Sequence, residues 1–127
     1  MSKTAKDLTA EELSIYRKAF WEREKKERES LKKRIDMAWE LARKSARLLK
    51  EKFGATRVVV FGSLVHEGCF TRWSDIDIAA WGINPESTFK AVAEVMGLSP
   101  EIEINLVDVS MCKPSILKVI LKEGVEL

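Results

Sequence analysis

Residues 61–79 read FGSLVHEGCFTRWSDIDIA. Within them Asp75 and Asp77 alternate with Ile76 and Ile78. On a strand, residues two apart share a face, so both carboxylates project together while the isoleucines enter a core. Two like charges this close need a cation or an open, solvated site. Hard divalent ions such as Mg²⁺ take oxygen ligands, and they commonly meet a protein through one or two carboxylates plus substrate phosphates. Taken alone, an Asp-x-Asp is better explained by two solvated aspartates on a strand edge. Upstream, Arg57-Val58-Val59-Val60-Phe61 is short, apolar and β-branched, as a buried strand would be. Gly62 and Ser63 follow it directly. Glycine lets the backbone approach a ligand, and a serine opening a helical turn offers a hydroxyl and free N–H groups to phosphate oxygens. Alone, Gly-Ser is only a turn signal.

Spacing joins the two pieces. Only Leu64 to Ser74 separates Ser63 from Asp75, which is at the lower limit for a parallel crossover. Antiparallel pairing would set the end of the first strand beside the start of the second, with Gly62 and Ser63 next to Asp75 and Asp77. A phosphate cradle beside a carboxylate pair that holds metals is what nucleoside triphosphate chemistry requires.

The combination of FGS with the later SDIDIA closely resembles the signature of the DNA polymerase β-like nucleotidyltransferase superfamily. It is most similar to the small stand-alone members, the minimal nucleotidyltransferases. The lead-in FGATRVVVFGSL and the tail NLVDVSMCKPSILKVILKEGVEL share the likeness, which runs from about Trp39 to Leu127. The resemblance implies an α/β fold, a nucleotidyltransferase-type mixed sheet of three or four strands with flanking helices. It implies transfer of a nucleotide from ATP or another nucleoside triphosphate, with two Mg²⁺ ions. It further implies that Gly62 and Ser63 hold the triphosphate and that Asp75 and Asp77 are the metal-holding catalytic carboxylates. Ser74, which flanks the acid pair, reads apart from the resemblance as fixing the strand start and as a further nucleotide-binding candidate.

The family pattern has a third carboxylate on the later strand. Laying its valine-aspartate-leucine-valine-aspartate run onto Ile104 to Asp108 puts that position at Asn105, a departure from the pattern. An amide does not accept a proton as a base at neutral pH. With Ile102, Ile104 and Leu106 inward, Glu101, Glu103, Asn105 and Val107 share the other face. Glu103, roughly 7 Å upstream along a strand, is therefore the substitute catalytic carboxylate. Asp108 falls on the opposite face and reads as structural or solvent-facing.

Working outward, residues 1–53 contain neither Gly nor Pro. Thr9-Ala10-Glu11-Glu12 fits a capping box. Leu8, Leu13, Tyr16, Phe20 and Trp21 form an apolar patch. Glu22 to Ser30, EREKKERES, is wholly polar, and the stripe resumes as Leu31, Ile35, Ala38, Ala42, Ser45 and Leu49. Residues 1–30 are thus a helical extension suited to association, and residues 31–127 the nucleotidyltransferase domain. Either one long helix spans both, or Ser30 caps a second helix. A continuous helix would carry the patch roughly 13 Å beyond Leu31; it would then pack on a second copy or a partner protein. Gly54 ends the helix. Asn84-Pro85 opens another, with Phe89, Val92, Ala93 and Met96 lining one face. EIEINLVDV at 101–109 alternates as a strand, and Pro114 opens a last helix with Ile116, Leu117, Ile120 and Leu121 inward.

The chain has 127 residues, 46% hydrophobic and 33% charged, with a net charge of +2. That is one globular domain with an appended segment, not a disordered chain. No apolar run approaches a membrane span, and MSKTAKDLTAEEL lacks the apolar core of a signal peptide, so a cytoplasmic protein without membrane attachment is expected. One histidine and two distant cysteines make neither a disulfide framework nor a zinc pattern. About +6 of charge lies in residues 1–53 and about −4 beyond. Lys and Glu are mixed in the basic part and aromatics are few, so nucleic acid is not expected as a partner. His66 reads as a turn residue, Trp73 and Trp81 as packing or base-stacking candidates, Arg72 as a surface or phosphate-facing arginine, and Cys69 and Cys112 as small core residues.

The favoured reading is AMP transfer from ATP to a hydroxyl supplied by another molecule. The resemblance implies that this is a HEPN-type partner, a small helical toxin neutralised by the transfer. The alternative is a nucleotide-binding partner subunit without catalysis, because of Asn105.

Overall fold

The computed structural model describes residues 8–127. Its elements are α1 (Ala10–Phe53), β1 (Arg57–Phe61), β2 (Ile76–Trp81), α2 (Thr88–Met96), β3 (Ile104–Asp108), α3 (Pro114–Glu123) and β4 (Val125–Glu126). Short 3-10 turns occupy Gly62–Val65, Pro85–Ser87 and Val109–Met111. A mixed four-stranded sheet with flanking helices and a long N-terminal helix is the fold class expected.

The chain divides into two compact units, Met1–Lys33 and Arg34–Leu127. In the first, Thr9 caps α1: the Glu12 N–H donates to the Thr9 hydroxyl at 3.1 Å. Glu11 and Glu12 in the first turn favour the positive end of the helix dipole. No Gly or Pro interrupts the polar stretch 22–30, and α1 runs unbroken through Ser30, so the one-helix alternative is the one observed. Ile15, Tyr16, Phe20 and Trp21 are exposed within this unit. The Phe20 and Trp21 rings meet edge to face at 5.8 Å. Residues 1–7 of the expected extension lie outside the described residues.

In the second unit, α1 buries Ala38, Ala42, Ser45, Ala46, Leu49 and Phe53. Gly54 ends it at φ 71°, and the Ala55 N–H bonds back to the Leu49 carbonyl at 3.0 Å, the six-residue closure that glycine permits. The strand order is β3-β2-β1-β4. β1 is antiparallel to both β2 and β4, and β2 is parallel to β3. One sheet face carries the fully buried Val58, Val60, Ile76, Ile78, Ala80 and Ile104. The other holds a second cluster of Val59, Ala79 and Ile120, with Phe61, Trp81, Val107 and Val109 packed against it. Ile120 brings α3 onto this face; burying such a side chain is worth about 1.5–3 kcal/mol.

Several sequence expectations shift. β2 begins at Ile76, so Asp75 stands just before the ladder, and β3 is shorter than the alternating run from Glu101. On α2 the buried residues are Thr88, Ala91 and Val95, whereas Phe89 is 83% exposed, with Ala93 and Met96 also exposed. Thr88, at the start of the helix, is buried and its hydroxyl donates to the Asp108 carboxylate at 2.8 Å. On α3 only Ile120 is buried; Ile116 and Leu121 are exposed. Cys69 is exposed and Cys112 half-buried, both as free thiols, because Cys69 lies in the turn His66–Phe70 and not in an element. Val125 and Glu126, which carry no strand signal of their own, pair with Val60 and Val59.

Candidate functional site

The antiparallel register sets Phe61 opposite Asp77, so the chain turns out of β1 directly against the acid on β2. Gly62 has φ 78°, and a Cβ there would collide with Asp77 Oδ2. The positive φ favours glycine at this point, and any side chain here would have to displace the Asp77 carboxylate. Gly62 to Val65 form a 3-10 turn whose cap, Phe61, supplies no side-chain acceptor. The first N–H groups of such a turn lack partners within it. Among the described residues the Ser63 hydroxyl makes no hydrogen bond.

Asp77 lies beside Asn105 in the parallel register. The Asn105 amide donates to Asp75 Oδ2 and to Asp77 Oδ1, each at 3.5 Å, the long limit of a hydrogen bond. Burial pushes the Asp77 carboxyl above its ordinary value; the Asn105 bond opposes the rise and the Asp75 charge adds to it. No Lys, Arg or His forms an ion pair with either carboxylate among the described residues. The donor set is thus two carboxylates with no protein cation paired to them, beside the Gly62 turn. That fits Mg²⁺ held by Asp75 and Asp77 and completed by phosphate oxygens. No group of three His, Cys, Asp or Glu side chains forms a metal cage among the described residues.

The other expected residues are less tightly gathered. The Glu103 side chain is exposed; its carbonyl accepts the Ile76 N–H at 2.9 Å, which ties the segment before β3 to the start of β2. Ser74 is engaged in its own turn: its hydroxyl accepts the Thr71 N–H at 2.9 Å and meets the Thr71 hydroxyl at 3.2 Å. His66 is not a free turn histidine. Its Nε2 is 3.0 Å from Glu123 Oε2, which links the Gly-Ser turn to the end of α3. Trp73 is 79% exposed with the Arg72 guanidinium 4.8 Å from its ring. Trp81 packs on the second core cluster beneath Arg57. Asp108 is structural and not solvent-facing, with Thr88 Oγ1, the Ser110 N–H and Ser110 Oγ as donors. Arg34, whose guanidinium reaches carbonyls next to the site, carries no sequence signal separating it from the other bases of α1.

No helix of the described residues is long and apolar enough to cross a membrane. No protein-family model matches the chain, and no curated protein matches it. Among solved structures, it is similar to chains in two crystal structures of mutant forms of the toxin–antitoxin MntA–HpeT. One has 21% sequence identity and a TM-score of 0.54, over 67% of this chain and 69% of that one. The other has 18% identity and a TM-score of 0.56, over 67% and 70%. At such identity the likeness is one of fold: a mixed four-stranded sheet flanked by helices, with Asp77 on β2 and Asp75 and Gly62 at the adjoining strand ends.

Proposed function

We propose that this chain is a minimal nucleotidyltransferase that moves AMP from ATP to a hydroxyl on a partner protein. The observation that carries the reading is the contact of Gly62 with Asp77, beside Asp75 and with no protein cation on either carboxylate. Gly62 and Ser63 would receive the triphosphate, and Asp75 and Asp77 would hold Mg²⁺. Bound there, Mg²⁺ would offset the charge of the phosphates. The acceptor oxygen forms a bond to the α-phosphorus, the α–β anhydride bond breaks, and pyrophosphate leaves. Glu103 takes the hydroxyl proton.

The acceptor proposed is a HEPN-type toxin, which makes the chain its antitoxin; the fold shared with chains of the MntA–HpeT structures supports that context. The exposed Ile15, Tyr16, Phe20 and Trp21 would supply association, with this partner or a second copy. A second reading has its own observation: Asn105, not a carboxylate, bridges the two aspartates. It favours a nucleotide-binding partner that neutralises by contact alone.

Calorimetry with ATP, with and without Mg²⁺, tests the site. Affinity should depend on Mg²⁺ in the wild type and lose that dependence in Asp75→Asn/Asp77→Asn. Equal affinity in all four conditions refutes the reading. Intact mass of the partner then separates enzyme from binder. A gain of one AMP that falls about 10²–10⁴-fold in Glu103→Gln supports a catalytic base. Transfer absent from the wild type but present in Asn105→Asp supports the binding subunit.

A further inference from the structure

Arg34 sits on α1, and the acceptors of its guanidinium hydrogen bonds are main-chain carbonyls. Nη2 donates to the Ser74 carbonyl at 3.0 Å. Nε donates to Thr71 and Nη1 to Glu101, both at 3.4 Å. The group also lies 5.8 Å from the centre of the buried Phe70 ring. A planar fork with fixed donor directions can grip several carbonyls at once, which a single ammonium cannot do.

Those carbonyls belong to two segments. Thr71–Ser74 leads into Asp75, and Glu101 leads into Glu103 and β3. The Ile76 N–H bond to the Glu103 carbonyl continues the same seam. Asp75 precedes the ladder of β2, so regular strand pairing does not fix it. From these contacts we infer that Arg34 is a positioning residue: it clamps the entries to β2 and β3 so that Asp75 is held beside Asp77. This inference rests on the Mg²⁺–nucleotide reading of the site, though Arg34 itself touches no ligand.

Arg34→Lys is the informative variant, since it keeps the charge and loses the fork; Arg34→Ala accompanies it. Two readouts are taken on the full chain: Mg²⁺–ATP affinity by calorimetry, and amide exchange of Ser74 and Ile76 without metal. Loss of a partner that orients a metal-holding side chain weakens affinity by about 10–100-fold. Arg34→Lys should show a loss in that range together with faster exchange at both amides. Faster exchange with wild-type affinity means a merely structural role and overturns the inference. Weaker affinity with unchanged exchange overturns it too, because the clamp is then not the cause. If Arg34→Ala fails to fold, the lysine variant decides alone. A wild type that binds no Mg²⁺–ATP overturns the site and the positioning role together. A wild type that binds, with Arg34→Lys binding equally, overturns only the latter.

Discussion

Asp108, a residue only 7% exposed, closes β3, and three protein donors at 2.7–3.0 Å surround its carboxylate. Asp77 stands on the neighbouring strand and the opposite face. Among the described residues its one side-chain donor is an amide at 3.5 Å that it shares with Asp75. The protein satisfies the first carboxylate from within and leaves the second under-compensated. A buried carboxylate with all its partners is part of the core, whereas one crowded by a like charge and without a protein cation has use for a cation from outside.

The comparison breaks most readily at Gly62. Gly62→Val forces a branched side chain into a positive φ and into Asp77, so calorimetry should find Mg²⁺–ATP binding reduced at least about 100-fold. Such strain also costs about 1–3 kcal/mol of stability. Unchanged affinity would mean that ligand does not approach at this turn.

Next in size is Asp108→Ala. It strands the Thr88 hydroxyl and the Ser110 donors, and should cost about 2–3 kcal/mol in urea unfolding without altering Mg²⁺–ATP affinity. Asp77→Asn should do the reverse: stability within about 1 kcal/mol of wild type, and Mg²⁺ dependence gone. If both variants lost both properties, the two aspartates would not be separable in role.

Asn105→Asp sharpens the contrast from the other side by removing the shared donor and adding a charge. The variant should melt lower than wild type without metal at neutral pH, and Mg²⁺ should raise its melting temperature more. A melting temperature indifferent to Mg²⁺ would count against a cation at this position.

The smallest effect is a slope with pH. The folded-state value of Asp77 is raised, so the folded chain binds this proton more tightly than the unfolded chain does. The associated stability is fully present below the unfolded value and is lost as pH rises through the folded one. Metal-free wild type should therefore lose stability relative to Asp77→Asn as pH climbs from the ordinary carboxylate range, and Mg²⁺ should recover part of the difference. Parallel pH profiles for the two proteins would remove this account.

Much of this was legible from local pattern. Arg57–Phe61 announced itself as a buried strand, and Asp75-Ile76-Asp77-Ile78 announced its faces by parity. What lay hidden depended on distant partners. α2 leaves Phe89 outward and buries Thr88 against Asp108, a pairing across twenty positions that periodicity does not register. Glu103 shares the face of Asn105 by parity, yet parity says nothing of reach, and its side chain lies exposed. Arg34 looked like any other base on α1 because its partners are backbone carbonyls, which leave no trace in composition. The continuity of α1 was a contest between a cap at Ser30 and an uninterrupted run of helix formers, and no breaker decided it.

The two neighbours of β1 also come from very different sequence distances. Phe61 meets Asp77 after a short loop, while Val60 meets Val125 roughly 65 residues later. Loop-closure entropy rises by about 0.6 kcal/mol per doubling of length. The β1–β2 pair, which assembles Gly62 against Asp77, is therefore the cheaper one to form first, and β4 docks onto an existing ribbon. In kinetic terms, substitutions at Ala79 should slow refolding, while substitutions at Val125 should chiefly hasten unfolding. On that ordering the acidic site would be assembled within the folding nucleus, and the far edge of the sheet would be the part that opens first.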